Sequence, residues 1–124
     1  MHEFNIGALT VSNDLPLLVI AGPCQLEGID HAQMIAGKMA EVCAAHGAQF
    51  VFKGSYDKAN RTSLGGKRGL GMDEGLKVMQ SVKDSIGCPV LTDIHAPEHC
   101  ATVAATCDIM QIPAFLCRQT DLLL

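Results

Sequence analysis

Residues 52–63, FKGSYDKANRTS, crowd Lys53, Lys58, Asn60 and Arg61 together with the hydroxyls of Ser55, Tyr56, Thr62 and Ser63. An ammonium holds anionic oxygens as a point charge, and a guanidinium grips them as a planar fork. Side chains of these types, starting where the apolar run FVF ends, suit a bound phosphate or carboxylate. A solvated surface loop is the alternative, and composition alone leaves both open. Cys24 stands in AGPCQLEG, directly after another apolar run. A thiolate there suits Zn²⁺ or Fe²⁺; a buried, inert thiol is the other reading. Asp93 and His95 lie in PVLTDIHAPEH. Asp93 is either a site carboxylate or the Asx turn or N-cap of the helix that follows. Gln111, Pro113 and Phe115 sit in DIMQIPAF.

The elements that must position these groups alternate. FNIGALTVSNDL suggests a hairpin. LLVIAG (17–22) is an unbroken apolar run, the mark of a strand buried on both faces. Glu27 to His46 predicts a helix, with Ile29, Met34, Ile35, Met39 and Val42 at roughly helical spacing and Gly47 as its stop. QFVFKG is the second strand. Met72 to Ile86 is the second helix, with Leu76, Val78, Met79, Val82 and Ile86 near one face and Gly87 after it. PVLTDI, a short helix in PEHCATVAAT opened by Pro97, DIMQIPA and a helical start in RQTDLLL follow. This β-α-β-α-β-α-β order has crossovers of the length parallel strands need. It places Cys24, Lys53, Ser55, Asp93 and His95 at C-terminal strand ends, with Gln111 in the last strand. That edge carries the sites of parallel α/β proteins, open or closed into a barrel.

Composition narrows the function classes. The chain has 124 residues, 48% of them hydrophobic and 4% aromatic, and a net charge of −4. That balance argues against broad nucleic-acid or membrane binding. Positive charge is instead local: Lys53, Lys58, Arg61, Lys67 and Arg68 are five of the nine cations. The N-terminus lacks the basic start and apolar core of a targeting signal. Six cysteines without a CxxC pair read as reduced residues, mostly of the core, in a cytoplasmic protein. GGKRGLG (65–71) matches neither a dinucleotide fingerprint nor a Walker A loop; it reads as an ordinary surface loop, with a phosphate-proximal loop carrying Lys67 and Arg68 as the alternative. His31, His46 and His99 read as helix-surface residues.

Five pieces in order, GPCQLEG, VFKGSYDKANRTS, GLGMDEGL, PVLTDIHAPEH and DIMQIPAFLCRQTDLL, resemble the N-terminal half of the 3-deoxy-D-manno-octulosonate 8-phosphate synthases, from about residue 11 to 124. KANRTS is the specific part. The related 3-deoxy-arabino-heptulosonate 7-phosphate synthases share GPC and the strand like DIMQI, but carry an arginine- and proline-containing stretch at that point. The resemblance implies a (β/α)₈ TIM barrel in a cytoplasmic homotetramer, with residues 1–124 forming the first four βα units and a hairpin. It implies condensation of phosphoenolpyruvate with arabinose 5-phosphate for lipopolysaccharide biosynthesis. Lys53 and Lys58 would contact phosphoenolpyruvate. Asn60, Arg61 and Thr62 or Ser63 would reach the sugar phosphate, and Ser55 would bond substrate oxygens. Asp93 would lie near the substrates, and Gln111 and Phe115 would line the phosphoenolpyruvate end. Lys58, Asp93 and Asn60 would carry the catalysis. Arg118 is either a further anion contact or a helix N-terminal residue. In this family the position of Cys24 is cysteine in metal-dependent members and asparagine in the others. Cys24 therefore implies a divalent metal (Zn, Fe, Mn or Co) whose remaining His, Glu and Asp ligands lie on later strands. Residues 1–124 alone would then be inactive. A chain truly ending at 124 would expose strand edges and suit a non-catalytic anion-binding or assembly module instead.

Overall fold

The computed structural model describes residues 2–57 and 69–124. The predicted alternation is present. A hairpin of β1 (Glu3–Ile6) and β2 (Leu9–Ser12) precedes β3 (Leu18–Ala21), α1 (Ile29–Ala45), β4 (Gln49–Lys53), α2 (Met72–Ile86), β5 (Val90–Asp93), α3 (Cys100–Ala104), β6 (Ile109–Gln111) and α4 (Thr120–Leu123). Short 3₁₀ turns at Pro97–His99 and Ala114–Leu116 lead into α3 and toward α4. The second of these was not foreseen from sequence.

Strands β3, β4, β5 and β6 form one sheet in chain order, every pair parallel. Phe50 and Phe52 of β4 join the main core with Val90, Met79, Val82 and Ala36, while Val51 between them turns the other way. Side chains alternate along a strand, so Lys53 shares the face of Val51. Lys53 is paired with Leu91, Asp93 lies two residues beyond Leu91, and Asp93 is paired with Gln111. Parallel register thus carries Lys53, Asp93 and Gln111 to the face turned away from the helical core.

The first helix corrects an expectation. Its fully covered residues are Ala32, Ala36 and Cys43, whereas Ile29, Met34 and Val42 are exposed; Ile35 and Met39 pack at the margin of the core. Small residues let α1 approach its neighbours: a Cβ added at Gly37 would meet Ile86 of α2 at ordinary contact distance, 3.5 Å. Gln33 bridges to Ser85 of α2 at 3.0 Å. The end of α1 is a Schellman stop. Gly47 adopts φ +66, its N–H donates to Ala44, and the Ala48 N–H donates to Cys43 at 2.8 Å. On α2 the buried positions Leu76, Val78, Met79 and Val82 are as read, and Gly87 caps it in the left-handed conformation.

The entry end of the sheet is tied by Asp108. Its carboxylate accepts the Val90 N–H at 2.9 Å and pairs with Lys83 of α2 at 3.2 Å. The hairpin reaches the same end. Gln49 donates to the Thr10 carbonyl at 2.9 Å, and the turn at Gly7 (φ +56) approaches Asp108. The six cysteines are all free, as expected, but Cys24 and Cys117 are exposed rather than part of the core.

At the other end, the chain leaving β3 grazes β4. A Cβ on Gly22 would stand 1.8 Å from the Lys53 carbonyl oxygen. No rotamer relieves a clash with backbone. Gly22→Ala should therefore destabilise the protein by at least about 3 kcal/mol, beyond the usual cost of one added methyl. A thermal unfolding midpoint within two degrees or so of the parent would contradict this account of the β3–β4 junction.

Candidate functional site

Each βα loop at the C-terminal edge starts from a strand end that the register has already fixed. β3 runs into Gly22, Pro23 and Cys24; β4 into Lys53, Gly54 and Ser55; β5 ends on Asp93; β6 ends on Gln111 and leads to Pro113 and Phe115. All of these except Gly54 line one cavity of about 270 Å³. Of the residues singled out from sequence, the structure brings Cys24, Lys53, Ser55, Asp93, Gln111 and Phe115 together there. Lys58, Asn60, Arg61 and Thr62 lie outside the described residues. Arg118 is exposed and is not part of the cavity lining.

The charges are arranged unevenly. Among the described residues, no carboxylate lies within ion-pair distance of Lys53, and Asp93 is engaged by His95 instead, Oδ2 to Nε2 at 3.2 Å. A cation at a concave site without a protein counter-ion attracts small anions. Ser55 is buried, and its hydroxyl donates to the Asp57 carbonyl at 2.9 Å while its own carbonyl accepts the Leu26 N–H. Its one proton is thus committed to the turn. Toward a substrate, Ser55 in this arrangement presents a lone pair rather than a donor.

In sequence Tyr56 counts only as one of four hydroxyls in its loop, and nothing local marks it as more. It is 2% exposed, and its hydroxyl bonds Nδ1 of His99 at 3.2 Å. His99 is therefore a half-buried partner rather than a plain surface residue. The Tyr56 backbone also anchors the returning chain. Its carbonyl accepts the Gly71 N–H at 3.1 Å, and Gly69 packs so closely that a Cβ would lie 2.4 Å from that oxygen. The two described ends of segment 58–68 therefore meet at Tyr56, beside the cavity wall.

Cys24 offers one exposed thiol at the cavity. Among the described residues no group of three or more His, Cys, Asp or Glu side chains is placed to hold a metal ion. These residues therefore supply a single candidate ligand and not a complete site. No described helix is long and apolar enough to cross a membrane.

A parallel α/β sheet with its cavity at the C-terminal strand ends defines the class: an α/β protein with the strand-end site of the barrel and doubly wound enzymes. Residues 4–124 match the DAHP synthetase I family, and the chain belongs to that family. It is similar to proteins named 2-dehydro-3-deoxyphosphooctonate aldolase. The Rhizobium meliloti protein is 56% identical over 117 residues, covering 94% of this chain and 42% of the relative. That of Rickettsia bellii is 53% identical over 115 residues (93% and 42%), and that of Bartonella quintana 51% over 118 residues (95% and 42%). The chain thus spans about 42% of the length of these curated relatives.

The environment of Tyr56 makes a measurable mark. Burial first, then the negative charge of Asp93 and Asp57, raises its phenol from 10.0 to about 12. A group whose folded pKa is raised adds stability in full below its unfolded pKa and loses it as pH climbs to the folded value. The loss attributable to Tyr56 should fall between pH 10 and about 12. This chain holds a single tyrosine. The ultraviolet difference titration of the parent against Tyr56→Phe should show one phenol ionising near the upper figure; ionisation near 10 would refute the buried placement.

Proposed function

We propose that the protein carrying this chain condenses phosphoenolpyruvate with arabinose 5-phosphate, releasing inorganic phosphate and forming 3-deoxy-D-manno-octulosonate 8-phosphate, a sugar acid of lipopolysaccharide. One observation carries the reading: Lys53, Asp93, Gln111, Phe115 and Cys24 line a single cavity at the sheet edge where such sites are built. The names of the similar proteins favour the octulosonate product over the heptulosonate one. On this reading the four strands continue into a (β/α)₈ barrel, and the whole protein is a cytoplasmic homotetramer.

Carbon 3 of phosphoenolpyruvate bonds to the aldehyde carbon of the open-chain sugar, whose oxygen takes up a proton. Water adds at carbon 2, and the bond from that carbon to the phosphate oxygen breaks. Both substrates are anions, so the protein must hold two mutually repelling molecules in contact. Lys53 supplies fixed positive charge for phosphoenolpyruvate, together with Lys58. Asn60, Arg61 and Thr62 take the sugar phosphate. Phe115 gives the apolar wall and Gln111 a neutral hydrogen-bonding group at the phosphoenolpyruvate end, and Asp93 faces the reacting groups. A divalent metal held in part by Cys24 would polarise the aldehyde or orient the water; its other ligands are not among the described residues.

Phosphate release by the natural full-length protein tests this. Activity is expected with phosphoenolpyruvate and arabinose 5-phosphate; activity only with erythrose 4-phosphate would favour the heptulosonate reaction. Lys53→Met should lower kcat/KM for phosphoenolpyruvate by about ten- to a hundredfold, the worth of one charge-assisted contact. Chelation should abolish turnover and Zn²⁺, Fe²⁺, Mn²⁺ or Co²⁺ should restore it, while Cys24→Ser should lower the metal content of the purified protein. Full activity after complete metal removal would exclude Cys24 as an essential ligand.

A further inference from the structure

We propose that His95 is a positioning residue: it holds Asp93 away from Lys53, so that the lysine charge stays available to an anion in the cavity. The inference deepens the proposed function and rests on it for the identity of that anion, phosphoenolpyruvate.

Lys53 and Asp93 share one sheet face and line the same cavity. Left to itself, a flexible lysine beside a carboxylate forms an ion pair, and an anion would then have to displace it. Here the carboxylate has another partner. Nε2 of His95 lies 3.2 Å from Oδ2 of Asp93, and the two side chains are only 10% and 15% exposed. The other ring nitrogen, Nδ1, is buried and has no hydrogen-bond partner among the described residues. An ionised carboxylate oxygen only accepts, so the ring nitrogen facing it must carry the proton. The geometry therefore assigns the proton to Nε2, donating to Asp93.

The imidazole is itself held. The Tyr56 ring meets that of His95 edge-on, with centroids 5.8 Å apart and planes at 78°. Tyr56 also lies edge-on to His99 at 6.2 Å and bonds it through the hydroxyl. Burial keeps that hydroxyl protonated to high pH. The brace joins the loop after β4 to the loop after β5, the strands that end on Lys53 and Asp93. A glycine completes it: a Cβ on Gly75 would stand 2.4 Å from Cβ of Tyr56, so α2 presses the tyrosine into place.

The test is kinetic and uses the natural full-length protein. His95→Ala should raise the KM and the dissociation constant for phosphoenolpyruvate about tenfold. His95→Gln, whose amide can donate from a similar position, should recover most of that loss. A merely destabilised enzyme would lose active fraction, lowering kcat while leaving KM alone. In an Asp93→Asn background, His95→Ala should add little, because the pair acts as a unit. An unchanged KM for phosphoenolpyruvate in His95→Ala, or additive effects of the two substitutions, would overturn the proposal. If the parent neither binds phosphoenolpyruvate nor turns over, the functional reading fails instead. The positioning claim is then decided by ¹⁵N NMR of the imidazole. The Nε2–H tautomer, with a resonance that moves on Asp93→Asn, supports it, and a resonance indifferent to that substitution defeats it.

Discussion

The backbone of the chain leaving β3 passes so close to the Lys53 carbonyl that only a hydrogen fits on the Cα of Gly22. Much follows from that approach. It brings the Cys24 turn against the end of β4, and β4 is the strand whose alternation decides where Lys53 points. Parallel pairing then transmits the choice across the sheet, from Lys53 to the Leu91 row and, two residues on, to Asp93 and Gln111. A slip of one residue would send Lys53 into the aliphatic core and Phe52 toward the cavity. Such a register is strongly specified, because Phe50, Phe52 and Val90 have a core to fill and Lys53 has none to enter.

The cavity wall is consequently built from short pieces of separate strands, and its polar groups are not free agents. Ser55 is committed to its own turn and Asp93 to His95, while Lys53 has no carboxylate partner among the described residues. The unpaired charge is the one best suited to a phosphate or carboxylate, and the paired one is of the wrong sign for it. That asymmetry is a more specific statement about ligand chemistry than the count of polar residues at the rim.

Much of this was legible in the sequence. FVF reads as a buried strand and is one, but the expectation that LLVIAG is covered on both faces fails: β3 lies at one edge of the described sheet, with Leu17 75% and Ile20 44% exposed. The α2 stripe was plain because large residues mark its buried face. The α1 stripe misled for a physical reason: close packing there is done by Ala32 and Ala36, which carry little hydrophobic signal, while the conspicuous Met34 faces outward. Cys24, Lys53, Ser55, Asp93 and Gln111 could be placed at one edge from strand order alone, whereas Phe115 came only from the family resemblance. The contact of Tyr56 with His99 could not, since it joins residues 43 apart and depends on how two loops meet. The spent proton of Ser55 was equally invisible, because hydroxyl direction is settled only by neighbours.

The hairpin at the start of the chain leans on residues made much later. Gly7 lies against Asp108, and Thr10 is gripped by Gln49. During synthesis, then, the first dozen residues wait for their final seat until roughly a hundred more have been added, on the order of 5–20 s at ordinary elongation rates. The hairpin is thus made before the sheet end it leans on and is among the last of the described elements to be fastened.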